Sequence, residues 1–136
     1  MTQSLKIGSW NICNGIATKL DYVKNALMEN DLDVLMIQET ELHKDCEENL
    51  YYIHGYKTEL SVASNGCKTR IICYIKDTVK YERKFESADS NLLLLQIDRS
   101  YSVQQVIGVY RAFKIAGNIS LHERTKKMLK EIYKYN

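Results

Sequence analysis

Apolar and polar positions follow two different periods along the first 40 residues. Residues 5–12 (LKIGSWNI) alternate so that apolar groups fall on both faces, which predicts a strand inside a layered protein. Residues 18–30 carry apolar side chains at helical spacing, and residues 33–39 (DVLMIQE) form a short apolar run between polar ends, typical of a buried strand. This succession predicts a βαβ unit with parallel strands.

The predicted helix has recognisable ends and one apolar stripe. Thr18-x-x-Asp21 resembles a capping box with Asp in place of Glu, so the helix is predicted to begin at Thr18. Asn30 followed by Asp31 marks its end. The stripe consists of Leu20, Val23, Leu27 and Met28.

Weaker signals predict two strand pairs farther along the chain. Residues 56–62 and 69–75 are rich in β-branched and aromatic side chains, and the turn signal Ser64-Asn65-Gly66 lies between them, as in a hairpin. Residues 91–98 and 105–110 form the second predicted pair. With no linker, repeat or low-complexity tract, we predict one α/β domain over residues 1–136.

A basic amphipathic helix is predicted at residues 121–135. Ser120-x-x-Glu123 is a full capping-box pattern, and apolar residues follow it at helical spacing. The basic residues here are Arg124, Lys126, Lys127, Lys130 and Lys134. A solvated helix face is the simpler interpretation of this charge, and a phosphate-binding face is the alternative. The net charge of the whole chain is only +2, which is too mild to identify a nucleic-acid partner.

Composition excludes several classes of protein. The chain has 136 residues, 45% of them hydrophobic and 26% charged, which is the balance of a globular domain. None of its four cysteines forms a CxxC pair, which argues against a zinc finger or ribbon. No apolar run approaches the ~20 residues of a membrane span, and the first residues carry no signal-peptide core. We therefore expect an intracellular protein with reduced thiols, in the nucleus or cytoplasm and not in a membrane.

Asn11 and Glu39 are the first candidates for chemistry. Each stands at the carboxyl end of a predicted strand, and the carboxyl ends of neighbouring parallel strands meet at one edge of a sheet, where α/β sheets bind ligands. Carboxylate and amide oxygens suit a hard cation such as Mg²⁺. A solvated glutamate at a strand end is the simpler interpretation, and a metal site is the alternative.

The same two segments carry a family resemblance. KIGSWNI (residues 6–12), a helix, and DVLMIQET (residues 33–40) resemble the opening of the endonuclease/exonuclease/phosphatase family, which has the DNase-I-like fold. In that family the first strand ends in a Trp-Asn-type dipeptide and the second in Gln-Glu. The resemblance implies an α/β sandwich built on a mixed sheet with flanking helices, and a phosphodiester hydrolase. It also implies that Glu39 binds a divalent metal, Mg²⁺ or Mn²⁺, with Asn11 as its partner in the site.

A second, looser resemblance lies later in the chain. Val109-Tyr110-Arg111 resembles the VYR segment of endonuclease domains of non-LTR retrotransposons. It implies that Tyr110 approaches the scissile phosphate and that Arg111 contacts a backbone phosphate, which its planar guanidinium suits. Among the substrate classes of the family, which include RNA and phosphoinositides, this likeness favours DNA.

The sequence also departs from the family. Ala112 stands where the family has proline, and neither the Gly-Asp-x-Asn strand end nor the Ser-Asp-His triplet of the family occurs. Only His122, Glu123 and Glu131 follow Tyr110 with suitable chemistry, and all three fall in the predicted last helix. We therefore expect the N-terminal part of the family fold, with an incomplete catalytic site.

Two hypotheses of function remain open from the sequence. The first is part of a metal-dependent endonuclease, and the second is a catalytically inactive α/β module that binds a partner. Half of a two-sheet fold would also leave an apolar sheet face uncovered. On that ground we expect self-association, in the simplest case a homodimer.

Overall fold

The computed structural model describes residues 4–43, 45–61, 68–87, 92–98 and 102–109, together with Lys126 and Lys130. The elements in chain order are β1 (Ile7–Asn11), α1 (Ile16–Glu29), β2 (Val34–His43), the short 3₁₀-helix η1 (Glu48–Leu50), β3 (Tyr56–Leu60), β4 (Lys68–Lys76), β5 (Lys80–Ser87), β6 (Leu92–Asp98) and β7 (Val103–Val109). They form a four-stranded sheet of order β1-β2-β4-β3 and a three-stranded sheet of order β5-β6-β7.

The predicted βαβ unit is confirmed. β1 and β2 pair in parallel, from Ile7 opposite Val34 to Asn11 opposite Gln38, and α1 connects them. Both predicted antiparallel pairs, β3 with β4 and β6 with β7, are confirmed as well. Strand β5 was not predicted from the sequence; it pairs with β6 and forms an edge of the second sheet.

Helix α1 begins two residues earlier than the sequence predicts. Its N-cap is Gly15, whose left-handed backbone (φ 83°) turns the chain into the helix without a side-chain cap. Thr18 lies inside the first turn and donates its hydroxyl to the carbonyl of Gly15, so the predicted capping box at Thr18 is wrong. Val23 and Leu27 are buried as expected, whereas Met28 is 63% exposed.

The four-stranded sheet separates two apolar clusters because side chains alternate along its central strands. On β2, Leu35 and Ile37 face α1, while Val34 and Met36 face the second sheet. The cluster under α1 contains Ile12, Ile16, Val23, Leu27, Leu35, Ile37, Leu42, Ile53, Ile72 and Tyr74. The cluster between the sheets contains Val34, Met36, Ile71, Cys73, Ile75, Leu93, Leu95 and Ile97. The described chain is therefore a helix and two sheets stacked in layers.

The second sheet covers the apolar face of the first sheet, which was expected from the sequence to be uncovered. Its inner residues Leu93, Leu95 and Ile97 are buried against β2 and β4. Gly108 of β7 approaches Met36 of β2 closely, since an added Cβ at Gly108 would lie 2.5 Å from Sδ of Met36. The apolar face expected to need a second molecule is thus covered within the chain, and self-association stays a prediction.

Some predictions fall on residues that the structure does not describe. Of the predicted helix 121–135, only Lys126 and Lys130 are described, and both are helical and exposed. Tyr110 and Arg111 lie outside the described residues, as do His122, Glu123 and Glu131. Within the part of the chain that is described, no helix is long and apolar enough to cross a membrane.

Candidate active site at the carboxyl ends of β1 and β2

Asn11 and Glu39 come together at one edge of the four-stranded sheet. Asn11 lies opposite Gln38 in the parallel register, and so beside the backbone of Glu39. The pairing continues past β1, since the N–H of Ile12 donates to the carbonyl of Gln38 (3.2 Å) and that of Asn14 to the carbonyl of Glu39 (2.9 Å). Asn11 is exposed and Glu39 is partly buried, so both are placed where a ligand can reach them.

The loop after β1 is shaped by three consecutive residues with left-handed backbone. Cys13, Asn14 and Gly15 have φ values of 54°, 73° and 83°. The side chain of Asn11 supports this turn, because its Oδ1 accepts the N–H of Cys13 at 3.0 Å. Lys19 of α1 reaches back and donates its amine to the carbonyl of Ile12. The Asn11 amide is therefore oriented by its own loop, a geometry that suits Asn at a turn.

Glu39 sits in a bulge of β2. The pairing with β4 moves from Gln38 opposite Ile71 to Leu42 opposite Thr69, so that three residues of β2 face one residue of β4. Glu39 and Glu41 both adopt positive φ, 58° and 49°. Bulges re-aim side chains and are common beside active sites, and left-handed backbone in a residue other than glycine is costly and concentrates at such sites.

Thr40 anchors the bulge from within. It is 1% exposed, and its hydroxyl donates to the carbonyl of Thr69 at 2.8 Å. Glu39 and Glu41, on either side of Thr40, are only partly buried. The Gln-Glu-Thr order of the sequence thus has a structural reason: the threonine holds the bulge that presents the glutamate.

The two glutamates differ in their charged neighbours. Glu41 pairs with Nε of Arg70 (3.5 Å) and Nζ of Lys68 (4.0 Å). No ion pair within the described residues involves Glu39, and these residues contain no group of three or more His, Cys, Asp or Glu side chains that could hold a metal ion. The negative charge of Glu41 is matched inside the protein, which leaves Glu39 as the better candidate for an external cation.

The structure places the predicted site residues only in part. It brings Asn11 and Glu39 together as their strand ends suggested, while Tyr110 and Arg111 lie outside the described residues. His43 and His54 are exposed. Sequence reasoning missed Lys19 and Glu41. The polar residues that follow Glu39 were the available signal for Glu41, but the same pattern is typical of the end of a strand.

Comparisons with known proteins address the fold. No protein-family model matches the sequence, and no curated protein matches it. Among solved structures, the endonuclease domain of TRAS1, a telomere-specific non-LTR retrotransposon, is similar with a TM-score of 0.67 and 12% identity, over 97% of this chain and 54% of that one. An AP endonuclease from Archaeoglobus fulgidus is similar with a TM-score of 0.54 and 22% identity, over 97% of this chain and 49% of that one.

These likenesses confirm the resemblance at the level of the fold. The chain spans about half the length of each of the two endonucleases. At identities of 12% and 22% it is the arrangement of helix and sheets that is shared. The chain therefore has the α/β sandwich of DNase-I-like endonucleases, over about half of their length.

Proposed function

We propose that this chain supplies the Asn11–Glu39 part of a divalent-metal-dependent site that cleaves the phosphodiester backbone of a nucleic acid, with DNA as the favoured substrate. One observation carries the proposal: an amide and a carboxylate share one sheet edge, and the carboxylate is presented by a bulge with left-handed backbone. The fold around this edge is shared with two endonucleases.

The donor set fits Mg²⁺ or Mn²⁺. Glu39 offers a carboxylate that no described cation neutralises, and Asn11 offers an amide oxygen. That oxygen has two lone pairs, one of which accepts the N–H of Cys13, so the other can meet the cation or a water bound to it. Mg²⁺ typically takes one or two carboxylates and completes its shell with waters and phosphate oxygens. When bound, the cation supplies stabilisation of the charge that develops on phosphate and leaving oxygen.

Three further residues are assigned roles in this proposal, one in positioning Asn11 and two in contacting phosphate. Lys19 is a positioning residue, because its bond to the carbonyl of Ile12 ties α1 to the loop that orients Asn11. Gly108 packs on Met36, so this part of β7 lies over β2. Tyr110 and Arg111 follow β7 in the sequence and lie outside the described residues. We assign to Arg111 a bidentate contact with a backbone phosphate and to Tyr110 an approach to the scissile phosphate.

Nicking of supercoiled plasmid with Mg²⁺ tests the proposal. Any nicking by the chain should stop on chelation, and Glu39→Gln should lower its rate by about 10²-fold or more, since loss of one catalytic group costs this much. Glu48→Gln, at an exposed glutamate of η1, is the matched control and should nick at the unchanged rate. Binding of Mn²⁺, measured by water-proton relaxation, should weaken in Glu39→Gln and not in the control.

The other outcomes separate the alternatives. Mn²⁺ binding that needs Glu39, without nicking, would mean that the cation site is present and that cleavage requires groups beyond these residues. Neither nicking nor binding above the level of Glu39→Gln would refute the metal site and favour the second hypothesis, a catalytically inactive binding module.

A further inference from the structure

Each of the two sheets has one charged edge strand and one uncharged edge strand. The edges are β1 and β3 in the first sheet and β5 and β7 in the second. Strand β3 carries Lys57 and Glu59, and β5 carries Lys80, Glu82, Arg83 and Lys84 together with a break in its register. Strands β1 (IGSWN) and β7 (VQQVIGV) carry no charge, no proline and no break in register. Charged side chains and bulges are the usual features that prevent another strand from pairing with a sheet edge. Only β3 and β5 have such features.

The two protected edges are tied to each other. The carboxylate of Glu59 on β3 accepts the hydroxyl of Tyr81 (2.8 Å) and Nη1 of Arg83 (3.0 Å), both on β5. Nη2 of Arg83 also donates to the carbonyl of Leu60 at 2.6 Å. These bonds join the edge strands β3 and β5, so we do not expect another strand to pair on this side of the sandwich.

The two unprotected edges lie together on the opposite side. Strand β7 packs over β2 through Gly108 and Met36, and β1 is the next strand outward from β2. Ile7 of β1 is paired with Val34 and so shares the face that looks towards the second sheet, yet it is 46% exposed. Among the described residues no strand pairs with the outer edge of β1 or β7. A strand added beside β7 would lie over β1 and cover Ile7.

We propose that this side of the sandwich is a strand-pairing interface that takes a second copy of the chain, with β7 pairing antiparallel to β7 of the copy across a two-fold axis. An isologous pair of this kind closes on itself. Because β7 has no charged residue, pairing with its own copy never sets like charges opposite each other, which would destabilise the ladder. The inference stands independently of the metal site.

Sedimentation velocity over a concentration series tests the interface. The wild-type chain should approach twice its single-chain mass of 15.8 kDa as concentration rises. The variant Val103→Lys/Gln105→Lys places two lysines on exposed positions of β7 and should weaken dimerisation by about tenfold or more, through like-charge contacts across the axis. Tyr22→Lys/Asn25→Lys adds the same charge on exposed positions of α1 and is the matched control, with the wild-type dissociation constant expected.

A second variant reports on the covered face. Ile7→Lys changes a half-exposed side chain and should also weaken the dimer, although β7 itself is unchanged. Amide hydrogen exchange in β7 should slow as the dimer forms, and thermal melting monitored by circular dichroism should show all variants folded. A chain that stays monomeric, a dimer weakened equally by the α1 control, or assembly that grows without limit would each overturn the proposal.

Discussion

Glu39 combines a side chain proposed to bind a cation with an unfavourable backbone. Its φ of 58° costs an L-residue about 1–2 kcal/mol, a cost that glycine avoids. We therefore expect Glu39→Gly to be more stable to urea than Glu39→Ala by about 1 kcal/mol, although both lack the carboxylate. Stability alone would favour glycine at this position, so the proposed binding of a cation would account for a glutamate there.

Glu82 on β5 provides the control for this effect. It is an exposed residue in a strand without positive φ, so Gly at this position should be less stable than Ala, the reverse of the order at Glu39. If Gly were the worse residue at both positions, the backbone at Glu39 would not be strained, and the argument for a presented glutamate would lose its energetic basis.

At the scale of elements, the sequence predicts strands where burial makes them apolar. β2 and β4 are buried on both faces and read as apolar runs, whereas β5 carries charges at Lys80, Glu82 and Lys84 because an edge strand has little to bury. Helix α1 was placed two residues late because Gly15 caps it by backbone conformation, which leaves no side-chain signal. An edge strand and a backbone cap leave little signal in the local sequence, because they depend on contacts with distant residues and on backbone conformation.

The packing of β7 on β2 gives a prediction at the same scale. Gly108→Val would bring side-chain atoms into the space of Met36, which is 4% exposed and has little room to move. We expect a loss of about 1–3 kcal/mol in the free energy of unfolding, typical of overpacking. Gln105→Val, at an exposed position of the same strand, should be neutral or slightly stabilising. Equal urea midpoints for the two variants would contradict this account of the contact.

For the molecule as a whole, the candidate site was predictable only where topology alone places residues. Parallel neighbours bring their carboxyl ends to one edge, and this is why Asn11 and Glu39 could be named from the sequence. The bulge that contains Glu39 depends on the register between β2 and β4, and on a buried bond from Thr40 to Thr69, which is 29 residues away. The site is thus set by the sheet as a whole, and its stability and function depend on the same packing.

That packing makes the stability of the molecule sensitive to alkaline pH. Burial raises the pKa of the Cys73 thiol well above its ordinary value of 9.0 and that of the Tyr74 hydroxyl well above 10.0. Tyr81, less buried and bonded to Glu59, has a raised pKa too, chiefly through burial. Above pH 9 the unfolded chain gives up these protons while the folded chain keeps them, so unfolding is favoured as pH rises.

Urea unfolding between pH 7 and 11, in reducing buffer, measures this dependence. The stability contributed by these groups should be complete below about pH 8 and fall above pH 9, by up to about 1.4 kcal/mol per pH unit for each of the two buried groups, Cys73 and Tyr74, once their unfolded forms ionise. Tyr74→Phe should make the fall above pH 10 shallower, whereas Tyr22→Phe, at a side chain that is 67% exposed, should leave the slope unchanged. A stability independent of pH up to 11 would mean that these side chains reach solvent, and that the layers on either side of β4 are not closed as described.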